Sequence, residues 1–236
     1  FVLIKTETDS NYKEIKLDAL SFLSNLSIRK INEGQQRFVK SMFEVNNEIL
    51  NIRFESTDIN RLKIPAGMYK NMVVTAFKIS EAGFFRKIKT ALLVPKDKNK
   101  GFENAREWAE AFVRQYKNQL IKKDQEKYFS FCGSFIAFRN NDYVKAYRIL
   151  NNPLRLRGMF INMNIRQLHL QVLFELQLSN NTILEKDDID IKTYCESLRK
   201  LIADDKKRKK QLSYQAPYFE AFEKLYRQMI RVYFKY

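Results

Sequence analysis

The chain has 236 residues, 45% of them hydrophobic and 14% aromatic, which excludes intrinsic disorder and suffices for one large core or two packed lobes. It holds only 6 glycines and 4 prolines, too few for the frequent turns of an all-β sandwich. A formal net charge of +16 costs stability through self-repulsion and points to a polyanionic partner.

That charge is uneven. Residues 1–83 carry 12 Lys/Arg against 10 Asp/Glu, residues 84–157 carry 17 against 7, and residues 158–236 carry 14 against 10. Cys132 and Cys195 stand 63 residues apart in apolar, helix-like surroundings. They read as buried free thiols of a reducing compartment, the cytoplasm first, with a virion or the nucleus as other settings. No apolar run approaches the ~18 residues of a membrane span, and no charged-then-apolar leader is present. A chain starting at Phe1 instead of Met reads as trimmed, processed or incomplete.

In chain order, Phe1 to Lys5 is apolar and β-favouring, and Thr8-Asp9-Ser10-Asn11 reads as a polar turn. Ile15 to Leu26 has helical periodicity, with Ile15, Ala19, Leu20, Phe22, Leu23 and Leu26 expected inward. Gly34 breaks it, and Phe38 to Leu50 resumes it. Strands are expected between residues 51 and 95: Asn51 to Glu55 alternates, Met72 to Phe77 is β-rich, and Ile88 to Val94 is a short apolar run. From Glu103 the pattern is helical. Glu103 to Lys123 places Ala105, Trp108, Ala109, Phe112, Tyr116 and Leu120 on one face. Asp124 to Arg139 is strongly aromatic, and Asn141 or Asp142 caps a helix ending at Leu150. Gly158 to Leu178, apolar nearly all round, belongs at the centre of a domain. Asp187-Asp188 is expected to start a helix through Ile202, and Pro217 to lie in the first turn of a last helix through Tyr236. The fold class is therefore mainly α with a small β component. A mixed α/β lobe over 1–101 precedes a helical lobe over 102–236, the two forming either a bilobal molecule or one continuous domain.

Five basic constellations carry the functional reading. The first joins Phe84, Phe85, Arg86, Lys87 and Lys89 to a loop holding Lys96, Lys98 and Lys100. Lysines on a loop neutralise phosphates without reading bases, and a neighbouring Phe pair suits stacking on unpaired bases. The second is the outer face of the 103–123 helix, where Arg106 and Lys117 are expected to project together with Arg114 beside them, and Lys122 and Lys123 extend the stripe. The third runs from Tyr128 to Arg157. Tyr128 is a stacking candidate, and Arg139, Lys145, Arg148, Arg155 and Arg157 face only Asp142 in opposition. Arginine forks match phosphate oxygens. The fourth, Lys206 to Lys210, reads as an exposed, like-charged link that attracts polyanions, or as a nuclear-import tag. The fifth is the last helix, where Lys224, Arg227, Arg231 and Lys235 form a basic stripe and the apolar face (Tyr218, Phe219, Phe222, Leu225, Tyr226, Met229, Ile230, Tyr233) must dock on its own body or on another copy.

No arrangement for catalysis emerges. His169, the one histidine, sits in an apolar stretch and reads as a satisfied core residue. No zinc spacing and no phosphate-cradling glycine loop occurs, so no cofactor, metal or catalytic residue is assigned. The leading expectation is a non-catalytic nucleic-acid-binding protein that holds single-stranded RNA or DNA in a basic groove, with a coating protein such as a viral nucleoprotein as its sharper form. The alternatives are a structural or assembly subunit of a virion or larger complex whose basic face meets an acidic protein, and a duplex-DNA-binding replication or regulatory protein using Asn141 to Ile165 as a helix-turn-helix. Self-association is expected through Phe1 to Ile4 and the 218–236 helix.

Overall fold

The computed structural model describes residues 2–54, 63–81, 105–151, 159–187, 190–207 and 216–234. Ten α-helices and no strand occur among them: the described residues are mostly helical, and a small β component is not shown there. The chain divides into two compact units, Phe1–Cys132 and Gly133–Tyr236, and the division falls inside a helix.

In the first unit, α1 (Val2–Asn32) packs on α2 (Phe38–Phe54), α2 on α3 (Ala66–Glu81), and α3 on α4 (Ala105–Tyr116). The turn expected at Thr8 to Asn11 is absent, because α1 runs straight through it. No glycine or proline precedes Gly34, so nothing stops a helix once it has nucleated. Gly34 stops it in a left-handed conformation (φ 88°), with its N–H donating to Ile31 O and the Gln35 N–H to Lys30 O. Asn141 (φ 60°) and Asn180 (φ 50°) close two later helices in the same way.

The strands expected at Asn51 to Glu55 and Met72 to Phe77 are also corrected. Asn51 to Phe54 is the last turn of α2, and Met72 to Phe77 is the middle of α3. Tyr69, Met72, Val73, Ala76 and Phe77 are buried at helical spacing. That periodicity outweighs the β-propensity of two valines, which costs only tenths of a kcal/mol per residue. Ile88 to Val94 lies outside the described residues. A single parallel bridge, Ile64 to Leu120, is what the described residues show of β pairing.

The core of the first unit is aromatic. Trp108 stacks on Phe112 at 5.1 Å between ring centroids and meets the Phe43 ring edge-on at 5.1 Å. The Tyr69 hydroxyl donates to Val113 O at 2.8 Å, tying α3 to α4.

Helix α5 (Lys122–Arg139) crosses the division between the units. In the second unit α6 (Tyr143–Leu150) begins at Asp142, whose carboxylate accepts from the Lys145 N–H at 3.1 Å, as its capping pattern predicts. Helix α7 (Met159–Leu178) buries most of its circumference, including Ile165, Leu168, Leu170, Val172, Leu173 and Leu176, leaves Asn164, Gln167, Gln171 and Glu175 half-buried along one side, and packs against α6, the short α8 (Ile183–Lys186), α9 (Ile191–Lys207) and α10 (Ala216–Phe234). The cap of α9 is Asp190, which accepts from the N–H groups of Lys192 and Thr193, and not Asp187; Asp188 lies outside the described residues. Asp187 instead accepts from the Tyr147 hydroxyl at 2.6 Å. Helix α10 docks on its own unit: Phe219 and Ile230 are buried, and Phe174 of α7 meets Tyr226, Tyr233 and Phe234 at 5.5, 5.9 and 5.5 Å.

Candidate polyanion-binding surfaces

In the first unit the candidate site cations among the described residues stand on α4 and at the turn from α4 into α5. Helix α4 turns its aromatic side inward, which leaves Arg106 and Arg114 exposed on the other. It ends at Tyr116, shorter than the sequence pattern suggests, and Lys117–Gln119 form a 3-10 turn before α5. Lys117 therefore does not continue the stripe of Arg106. Its ammonium lies 4.2 Å from the centre of the Phe129 ring, an attraction that holds the charge at the corner. Arg106 donates to Glu110 at 3.1 Å, so part of its charge is offset locally. Arg114, Lys122 and Lys123 are exposed and make no ion pair among the described residues.

Lys63 joins them from far away in sequence. The Ile64 N–H donates to Gln119 O at 2.8 Å, the Lys63 ammonium to Asn118 O at 3.4 Å, and Arg53 donates to Lys63 O at 3.2 Å. Lys63 was missed by sequence reasoning, because its place depends on pairing between segments far apart in the chain and no local pattern announces that. Tyr128 is half-buried in this unit, and burial raises the pKa of its phenol, with the nearby Asp124 and Cys132 adding to the shift. Its ring is a weaker stacking platform than an exposed one. Phe131 is buried as core.

In the second unit, Lys145 and Arg148 lie on the exposed side of α6, opposite buried Ala146, Tyr147 and Leu150, and Arg148 makes no ion pair among the described residues. Arg139 is exposed at the end of α5 and has a partner. A separate groove of about 520 Å³ lies between α9 and α10. Lys192, Arg199, Arg227 and Arg231 line it, with Glu196 and Glu223 as the opposing acids. Glu223 is buried and its carboxylate holds Arg227 at 3.4 Å. The Cys195 thiol lies 4.0 Å from the same oxygen, and burial, with Glu223 beside it, pushes its pKa up to about 11. That thiol is protonated at neutral pH and a poor nucleophile. Arg199 and Arg231 are exposed at the groove and make no ion pair among the described residues. The sequence showed Arg227 and Arg231 on one stripe of the last helix. It did not show that α9 supplies the opposite wall.

Phe84, Phe85, Arg86, Lys87, Lys89, Lys96, Lys98, Lys100, Arg155 and Arg157 lie outside the described residues, as do Arg208 to Lys210 and part of the helix-turn-helix candidate. Both cysteines are buried and unpaired. His169 is buried as expected, but its Nε2 has no hydrogen-bond partner, so it is not a satisfied core histidine. No helix among the described residues is long and apolar enough to cross a membrane. Among those residues no group of three His, Cys, Asp or Glu is placed to hold a metal ion. Set against family models, curated proteins and solved structures, the chain matches none of them.

Proposed function

We propose that the protein is a non-catalytic nucleic-acid-binding protein that holds single strands chiefly by charge. The observation that supports this best is the corner of Arg114, Lys117, Lys122 and Lys123, exposed on a chain of net charge +16 and making no ion pair among the described residues. Isolated cations on a basic surface position sugar-phosphate without reading bases. The groove of about 520 Å³ between α9 and α10, lined by four cations and two acids, adds a second cationic surface.

A titration of the full chain against a fluorescent single-stranded oligonucleotide at two salt concentrations tests the proposal. Micromolar or tighter binding is expected, with a log–log salt slope near −4 if about six phosphates are neutralised. No binding at ~50 mM salt defeats it.

A second reading, an assembly subunit whose basic face meets an acidic protein, draws on one observation. Within each unit packing is largely between helices adjacent in sequence, the habit of stacked helical scaffolds that present extended surfaces to protein partners. Under this reading an acidic peptide, and not the oligonucleotide, binds and is released by salt.

A further inference from the structure

Helix α1 turns an apolar stripe outward in addition to the side it packs on α2, where Leu17, Leu20, Ile28 and Ile31 are half-buried. Its buried side chains include Ser24 and Ser27, and the face turned away from α2 carries Tyr12 (65% exposed), Ile15 (69%), Phe22 (68%), Leu23 (44%) and Leu26 (37%). Ala19 is exposed between them. The order 12, 15, 19, 22, 26 alternates steps of three and four, which is the seam of a two-heptad coiled coil. Two contacts keep this seam from rolling inward. The Lys16 ammonium meets Glu48 at 2.6 Å, and the Ser24 hydroxyl donates to Asn46 at 2.7 Å. A continuous apolar stripe held outward in this way is a contact surface, unlike scattered exposed leucines.

We propose that this seam pairs with the same seam of a second copy of the chain, antiparallel. Charge favours that occupant. A chain of +16 repels its own copy over most of its surface, but α1 holds five Lys/Arg against four Asp/Glu and is nearly neutral. The same neutrality disfavours an anionic membrane surface, which needs a basic flank. Direction follows from the residues. A parallel pair in register sets Arg29 against its own copy. An antiparallel pair sets Ile15 against Leu26 of the second copy, small Ala19 against Phe22, and the exposed Arg29 against the Tyr12 ring, a favourable cation–π contact. Two heptads make a small interface, so the dimer is weak, with a dissociation constant on the order of micromolar. The inference does not depend on what the basic surfaces bind, and mass and oligonucleotide affinity are separate readouts.

Sedimentation of the full chain from roughly 1 to 100 µM tests it. The mass should rise with concentration from 28.2 kDa toward twice that value. Phe22→Glu, at an exposed position and checked for folding by circular dichroism, should stay monomeric throughout. Leu225→Glu, on the exposed side of α10, should dimerise as the parent does. A parent that stays monomeric overturns the proposal. So does a Phe22→Glu chain that still dimerises, or a dimer lost only in Leu225→Glu. Oxidative cross-linking tests direction: Ile15→Cys chains should link to Leu26→Cys chains when the two are mixed, because the native Cys132 and Cys195 are buried. Ready linking of Ile15→Cys chains to one another overturns the antiparallel arrangement. Flotation of a monomeric chain with neutral phosphatidylcholine vesicles, lost in Phe22→Glu, assigns the seam to a lipid surface and overturns the second copy as its occupant.

Discussion

The Ser24 hydroxyl donates to Asn46 Oδ1 at 2.7 Å across the contact between α1 and α2, and both side chains are buried. The amide nitrogen of Asn46 finds no partner, and neither does the carbonyl oxygen of the neighbouring buried Asn47. The contact is therefore polar at its centre and incompletely satisfied, while Ile15, Phe22 and Leu26 of α1 face outward. Specific hydrogen bonds fix which face of α1 meets α2. They do so at a cost in stability that an apolar contact would avoid.

A double-mutant cycle follows from this pair. Ser24→Ala leaves Asn46 Oδ1 buried and unpaired, and should destabilise the first unit by about 1–2 kcal/mol. Adding Asn46→Leu removes both buried amide groups and should recover most of that loss, giving a coupling of opposite sign to the single change. Denaturant unfolding followed by fluorescence measures it cleanly, because the chain's one tryptophan, Trp108, is buried in the first unit. Strict additivity of the two substitutions would show that the hydrogen bond contributes nothing.

Much of the helical fold was legible in the sequence, and the reasons for the exceptions are physical. The apolar, nearly uncharged run from Gly158 to Leu178 marks the central helix of the second unit, and the Asn141-Asp142 pair marks a cap, because both signals are local. Met72 to Phe77 misled because β-branched residues were read for propensity, while the burial pattern of Tyr69, Met72, Val73, Ala76 and Phe77 has the period of a helix. The face of α1 misled for another reason. Periodicity finds a stripe but not its direction, and Ile15 and Phe22 turn outward since Lys16 and Ser24 bind α2. Of the candidate site, Arg114 was recognisable from its place opposite the buried face of α4. Lys63 and the pairing of Arg199 with Arg231 in one groove were not, for each depends on contacts between distant segments.

His169 makes the second unit sensitive to mild acid. Burial, with the Arg166 charge nearby, lowers its pKa from 6.5 to about 4, and the Tyr147 and Tyr194 rings face it at 5.9 and 4.7 Å. Between pH 6.5 and 4 the unfolded chain binds this proton and the folded chain does not. Stability therefore falls as the pH falls through that window, by about 3 kcal/mol in all, and is unaffected above it. His169→Leu should flatten that slope and raise stability at pH 5. As the chain has one histidine, its ring proton resonance titrates alone in the folded protein, and a midpoint near 6.5 would contradict the buried neutral imidazole.

Arg106 and Arg114 lie on the same helix, two turns apart, and should differ in their effect on a bound polyanion. Arg106 shares its charge with Glu110 at 3.1 Å, whereas Arg114 is exposed and makes no ion pair among the described residues. Arg114 also stands at the C-terminal end of α4, next to the corner of Lys117, Lys122 and Lys123. Arg114→Gln should remove one phosphate contact. It should lower single-strand affinity several-fold at low salt and shift the salt slope by about 0.7 toward zero. Arg106→Gln removes a cation but also releases Glu110, so affinity should fall through diffuse repulsion with little change in slope. Neither substitution touches the buried aromatic face, so melting temperatures should stay close to the parent's. Equal slopes for the parent and both variants would place the bound strand away from α4.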